Sequence, residues 1–311
     1  MNATARKTAT GTSLPIARRL EEKGELSGRI EQLTKLQEIC RLCPRNCRVQ
    51  RFAGEVGVCR APAAAVVSSA FPHFGEEPEL VGRGGSGTIF LAHCNLRCVF
   101  CQNFELSHLG EGSPHTPHQI ARIMLKLQEF GCHNINLVTP THSVPQLVQA
   151  IQIALREGLQ IPIVYNCGGY ESVETLRLLE GIIDIYMPDI KFATRSSGRR
   201  YAAAADYFEV AKAAVKEMHR QVGNLRMDRD GTARGGLLIR HLVMPGLVDE
   251  TKKILEFIAR EISVDSYVNL MDQYRPWYRA REFPEINRRV SWREWREVAE
   301  YARSLGLHRG F

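Results

Sequence analysis

The 311-residue chain has no apolar stretch approaching the roughly 20 residues that a membrane-spanning helix needs, so a membrane protein is not expected. Its basic N-terminus lacks an apolar core and a cleavage site, so no secretory signal is read there. No internal repeat and no low-complexity tract stands out. At 44% hydrophobic and 24% charged residues the composition is that of an ordinary globular protein, long enough for one large domain or two small ones. The formal charge of +7 would suit an acidic electron carrier or nucleic acid, although metal-bound thiolates would remove several of those positive units.

Cysteine is what the chain does have. Seven of its nine cysteines fall in two tight clusters, which fits metal chemistry in a reducing compartment, and hence a cytoplasmic location, better than disulfides. Cys94, Cys98 and Cys101 follow a short apolar run, Thr88 to Ala92, so they stand at the C-terminal mouth of an expected strand. The spacing Cys-x3-Cys-x2-Cys lets one loop hold three irons of an iron–sulfur cube. No fourth cysteine follows at short range, which leaves the fourth iron open to a ligand. The competing readings are a zinc knot with a distant fourth ligand and a purely structural trio. The second cluster, Cys40, Cys43, Cys47 and Cys59, offers four soft ligands in twenty residues. It suits a closed zinc site or a second, auxiliary iron–sulfur cluster, with the balance slightly toward zinc or a structural role.

From Thr88 onward the pattern alternates between strand and helix. Apolar runs are read at 88–92, 135–138, 161–165, 182–186, 237–243 and 267–271. Helices are read at 117–131, 143–158, 249–262 and 291–305, and one or two more at 16–39 with a break at Gly24. Six such units make a parallel sheet that fits an open, partial TIM-like barrel, where chemistry gathers at the C-terminal ends of the strands. The organisation read is 1–37 as a disordered or helical N-terminal segment, 38–85 as a cysteine-rich extension and 86–311 as the barrel. Period two puts Met187, Asp189 and Lys191 on one strand face; the alternative is an exposed ion pair ending the strand. Glu76 and Glu77 are not read as an acid–base pair, because neighbours in extended chain point opposite ways. The runs 195–200 and 226–234 are read as solvated loop, and Cys132 as core.

Cys-x3-Cys-x-Phe-Cys, with Phe100 before the last cysteine, resembles the signature of the radical S-adenosylmethionine (SAM) superfamily. With Glu76-Glu77-Pro78 and Gly84–Thr88 upstream, the longer string is similar to the PflX-type branch of the pyruvate formate-lyase activating enzymes, over residues from about 38 to 275. The resemblance implies a (β/α)6 partial barrel, a 4Fe–4S cluster on Cys94, Cys98 and Cys101, and SAM at its open iron. It implies that Phe100, Met187, Asp189, Lys191 and Arg240 serve SAM, with a monovalent cation near Asp189. His241, beside Arg240, is weighted as structural. Three strand ends depart from the family pattern. Thr139 and Thr141 stand where relatives carry Gly-Gly-Glu. Asn166-Cys167 replaces Asp-Thr at the cation site, and Cys167 is a poor ligand for a hard cation. Gln273 or Tyr274 stands in for a histidine that touches adenosine, while Arg275, Trp277 and Tyr278 face substrate or a partner, or else cap a surface helix. The implied activity is reductive SAM cleavage to a 5′-deoxyadenosyl radical, of the glycyl-radical-enzyme-activating type. A flavodoxin or ferredoxin would be the electron donor, and a glycyl radical enzyme or other protein the substrate. The alternatives are modification of RNA or a small metabolite by the same chemistry, and a zinc-knot nucleic-acid-binding protein.

Overall fold

The computed structural model describes residues 14–311. The disorder expected over residues 1–15 falls, for 1–13, outside the described residues. The chain enters through α1 (Ala17–Glu22) and α2 (Glu25–Glu38), separated at Gly24, whose φ of 71° is open to glycine at little cost.

Six parallel strands lie side by side: β2 (Ser86–Leu91), β4 (Ile135–Val138), β5 (Ile163–Cys167), β6 (Ile185–Pro188), β8 (Ala233–Leu242) and β9 (Tyr267–Met271). Their pairing is parallel throughout, and β2 does not close onto β9, so the barrel stays open. Three antiparallel strands extend it: β1 (Ala65–His73) on β2, β3 (Ser113–His115) on β1, and β7 (Arg226–Met227) on β8. Thus residues 65–73, within the segment set apart above as an extension, join the same sheet. A one-turn helix, α3 (Pro78–Val81), links β1 to β2. The crossovers carry α4 (Pro117–Glu129), α5 (Val144–Arg156), α6 (Val173–Leu178), α7 (Arg195–Ala202), α8 (Tyr207–Val222) and α9 (Val248–Phe257), and α10 (Trp292–Ser304) follows β9. α4 and α10 each begin with a reciprocal cap, Thr116 with Gln119 and Ser291 with Glu294, which satisfies amide groups that a helix end leaves open.

Alternation along the strands sorts the side chains into two cores. Ile89, Leu137, Tyr165, Tyr186, Ile239 and Leu270 face the helices in the main core. Val164, Ile185, Met187 and Leu238 face the other way and pack with Leu80 of α3 and Leu225. α3 therefore plugs the inside of the open barrel with Leu80, which is fully buried.

Several expectations shift. β5 and β6 start two to three residues later than the apolar runs suggest. Pro162 has no N–H for a ladder, and Asp184 takes the Ile163 amide at 2.8 Å and the Ile16 amide at 2.9 Å. Residues 195–200, read as loop, form α7, whose N-cap Thr194 accepts from the Ser197 amide at 3.2 Å. Residues 226–234 hold β7 and a turn folded around Asp228, which accepts the Asp230 and Thr232 amides, each at 3.0 Å. β1 and α8 were not expected at all.

Candidate active site

β2 ends at Leu91, and the chain turns through His93 at φ 72° into the cysteine loop. Its backbone hooks onto the end of α7: the Arg97 amide donates to Ala202 O at 3.1 Å and the Val99 amide to Tyr201 O at 2.9 Å. Phe100 is buried between Phe192 and Tyr274, at 6.0 and 5.9 Å between ring centroids, so it anchors the loop by packing. The sulfurs have local partners. The Leu96 amide donates to Cys94 Sγ at 3.4 Å, and Cys101 Sγ lies 3.1 Å from Ser107 Oγ. Burial pushes the Cys94 thiol up to about 12 and Cys98 higher still, with Lys191 opposing it in both. Three soft donors on one loop, with an amide and a hydroxyl directed at two of them, fit an iron–sulfur cluster, whose irons stabilise the thiolates that burial disfavours.

Lys191 Nζ sits 2.6 Å from Asp189 Oδ2, just beyond the end of β6. Asp189 Oδ1 accepts from Arg240 Nε at 2.8 Å. Arg240 also donates to Asn166 Oδ1 at 2.8 Å and Glu76 Oε1 at 3.0 Å, and lies 3.7 Å from Glu77. The Asn136 amide group reaches Glu76 at 2.8 Å, and Asn269 donates to Glu77. Inward residues of β4, β5, β8 and β9, with Asp189 just past β6, therefore converge on two carboxylates delivered by the segment before α3. The network holds three carboxylates and two cations. Burial works against both ions of the Asp189–Lys191 pair, yet their mutual attraction wins: Asp189, helped by Arg240, is held below the usual carboxylate range and Lys191 is raised. For Glu77 burial outweighs Arg240, and its carboxyl is raised.

Of the residues singled out in the sequence, Cys94, Cys98, Cys101, Asp189 and Lys191 thus share one end of the barrel, with Arg240 and Asn166 bonded beneath. Met187 lies fully buried in the inner apolar cluster under them. Gln273 is exposed, whereas Tyr274 is buried and donates to Ile286 O at 2.9 Å. Residues 275–279 lean on the cysteine loop, with the Arg279 amide on Val99 O at 2.9 Å and Tyr278 stacked on Phe104 at 4.8 Å. His241 is a core histidine, held neutral by burial at about 4, with Nδ1 on Ile190 O at 2.6 Å. Cys132 is buried in the main core.

Glu76 and Glu77 were missed as partners of Arg240. The contact spans 164 positions, and the only signal available was two acids ahead of a proline beside an otherwise apolar plug. Glu171 was missed as well. It is buried, accepts from Thr141 Oγ1 at 2.7 Å and Tyr165 Oη at 3.0 Å, and burial raises its carboxyl to about 7.

Cys40, Cys43, Cys47 and Cys59 line one enclosed cavity with Arg51 and His142. A Cβ on Gly57 would come within 2.7 Å of Cys47 Sγ, so only glycine lets the loop pass. The knot touches the cysteine loop directly: Arg45 Nε donates to Asn95 O at 2.9 Å, and the Arg97 guanidinium donates to Val58 O. Among the described residues no group of three or more His, Cys, Asp or Glu side chains is placed, as it stands, to hold a metal ion.

The sequence pattern of the radical SAM superfamily matches residues 88–258, from within β2, the strand that leads into the cysteine loop, to just past the end of α9. The chain belongs to the radical SAM superfamily. Membership carries with it a 4Fe–4S cluster and SAM as the reactants of the site. An uncharacterized protein of Methanocaldococcus jannaschii is 33% identical over 289 residues, covering 90% of this chain and 78% of that protein. Among solved structures, Streptococcus suis SuiB bound to the precursor peptide SuiA aligns at 13% identity and a TM-score of 0.47, over 68% of this chain and 43% of that one. TYW1 with a lysine-pyruvate adduct bound aligns at 14% and 0.42, over 70% and 73%. No helix of this radical SAM protein is long and apolar enough to cross a membrane among the described residues.

Proposed function

We propose that the protein cleaves SAM reductively and directs the resulting radical at a protein substrate, as an activating enzyme of the glycyl-radical type in the PflX-like branch. The observation that carries the SAM part is the placing of the Lys191–Asp189 pair, at 2.6 Å, beside the cysteine loop, where a Cβ on Gly168 would meet both Leu96 of that loop, at 2.9 Å, and Lys191 Cε, at 3.8 Å. The finer reading is supported by the string from Glu76 to Cys101 and its likeness to the activating enzymes.

When bound, the cluster and SAM supply a 5′-deoxyadenosyl radical that takes hydrogen from an unreactive C–H. The chain does the holding. Cys94, Cys98 and Cys101 would ligate three irons and leave one open. Lys191 presents an ammonium to the SAM carboxylate, in a setting where charge pairing counts for more than on a surface. Glu76, Glu77 and Asp189 outnumber Arg240 and Lys191, which favours the cationic amino and sulfonium groups. Arg240 holds Asp189 and Glu76 in place from below. The 275–279 segment leans on the loop through Val99 and Phe104 and borders that side of the mouth. The formal +7 charge suits an acidic flavodoxin or ferredoxin as donor.

Anaerobically reconstituted protein, supplied with dithionite and SAM, should release 5′-deoxyadenosine. With a glycyl radical enzyme carrying α-deuterated glycine, deuterium should appear in that product. Release without deuterium transfer from any such partner would leave SAM cleavage standing and overturn the activating role.

A further inference from the structure

Arg51 is only 2% exposed, and its guanidinium bonds to carbonyls alone: Nη1 to His142 O at 2.7 Å and Nη2 to Pro62 O. Its Nε has no partner. A guanidinium is always charged, and among the described residues no carboxylate is paired with it. A buried cation without an anion is strongly unfavourable. The groups that share its cavity are Cys40, Cys43, Cys47, Cys59 and His142. None of these is a carboxylate.

His142 adds a second observation. It is 3% exposed, its Nε2–H donates to Ala92 O at 2.7 Å, and its Nδ1 is buried without a partner. That hydrogen bond fixes the tautomer and leaves a lone pair on Nδ1, the arrangement metal-ligating histidines take. The sulfurs are prepared too: the Val58 amide donates to Cys47 Sγ and the Ala61 amide to Cys59 Sγ, both at 3.5 Å.

We propose that His142 Nδ1 and three of the thiolates of Cys40, Cys43, Cys47 and Cys59 are the ligands of a single-ion, tetrahedral metal centre of the zinc class, with Arg51 as its counter-ion. The cavity of about 10 Å³ has room for about one water-sized body. That accommodates one ion. A dication with three thiolates and a neutral imidazole carries a net charge of about −1, which answers the buried guanidinium. Binding releases one proton from each thiol that ligates and draws the donors from the cavity wall to the ion. Because Arg45 and Arg97 bond the knot to the cysteine loop, and His142 follows β4, the ion fastens that loop to the barrel end.

The test uses the full chain carrying Cys94→Ala, Cys98→Ala and Cys101→Ala, so that the first site holds no metal. Elemental analysis should find one zinc per chain, and cobalt(II) exchanged for it should give intense tetrahedral d–d bands with thiolate charge transfer. Adding His142→Ala should shift those bands and weaken zinc at least tenfold against a chromophoric chelator; Arg51→Gln should weaken it without shifting them. If His142→Ala does not fold, ¹⁵N-histidine spectra of the unmutated ring read the same point, since its Nδ1 resonance must move when zinc is added. No bound ion, iron with sulfide in place of zinc, or a histidine signal indifferent to the metal would each overturn the proposal.

Discussion

Replacing Arg240 with methionine keeps the length of the side chain and removes the one cation that Asp189, Glu76 and Glu77 share. The guanidinium makes three bonds of 2.8–3.0 Å, and its side chain is only 16% exposed, as is that of Asp189, with Glu76 at 10%. Breaking a buried pair from one side leaves an uncompensated charge and costs about 3–5 kcal/mol, a large share of the roughly 5–15 kcal/mol that holds a domain. The pH dependence should change sign as well. In the native protein Asp189 is held low, so its contribution is present above its ordinary carboxylate value and is lost as pH falls through the lowered one. Without Arg240, three carboxylates face a single ammonium and are raised. Their contribution is then present in acid and lost as pH rises. Urea denaturation of metal-free Arg240→Met at pH 5, 6 and 8, followed by circular dichroism, should show the deficit largest at pH 8 and shrinking toward pH 5. Adding Glu76→Gln should recover part of it. A variant within about 1 kcal/mol of wild type at pH 8, with the same slope against pH, would refute the view of Arg240 as the keystone of the network.

Cys98→Ala should abolish 5′-deoxyadenosine release under dithionite while leaving the far-ultraviolet circular dichroism spectrum unchanged, because the loop lies outside the main core. Lys191→Ala should raise the SAM dissociation constant by about 5- to 150-fold, the effect of leaving a buried polar group unmatched by about 1–3 kcal/mol; equilibrium titration showing wild-type affinity would remove Lys191 from the SAM site. Glu171 has its carboxyl raised from 4.5 to about 7, so its contribution is complete below 4.5 and is lost as pH rises to 7. That loss amounts to roughly 3 kcal/mol, and Glu171→Gln should flatten the stability profile between pH 5 and 8 accordingly.

The six parallel strands were legible because each is a short apolar run bounded by proline, glycine or a cap, and the cysteine loop because its spacing is local. What escaped detection is non-local. β1 becomes a strand by pairing with β2, and its second half, Ser69-Ala-Phe-Pro-His73, is only partly buried, carries a proline and gives no periodic signal of its own. α8 carries a helical stripe, Tyr207, Ala211, Ala214, Val215 and Met218, but much of it is alanine and it lies between two arginine-rich stretches read as loop. α7 is a helix of arginines and serines whose buried residues are Ser197, Gly198, Tyr201 and Ala202, so hydropathy does not announce it. The Asp189–Arg240 contact follows from strand order, which the alternating pattern supplies; the entry of Glu76 does not, since nothing local says that a plug will carry its acids inward.

That plug has a consequence for modular boundaries. The superfamily match begins at residue 88 and ends at 258, yet the electrostatic floor of the site is supplied by Glu76 and Glu77, and its far wall by Asn269 on β9. A fragment cut to the recognisable signature would keep every iron ligand of the Cys94 loop. It would also leave Arg240 without Glu76 and Glu77, and expose the inner apolar cluster that Leu80 seals. The span that evolution marks most clearly is thus smaller than the span that physics requires, and domain swaps in this architecture should carry the stopper that precedes the first barrel strand together with the barrel.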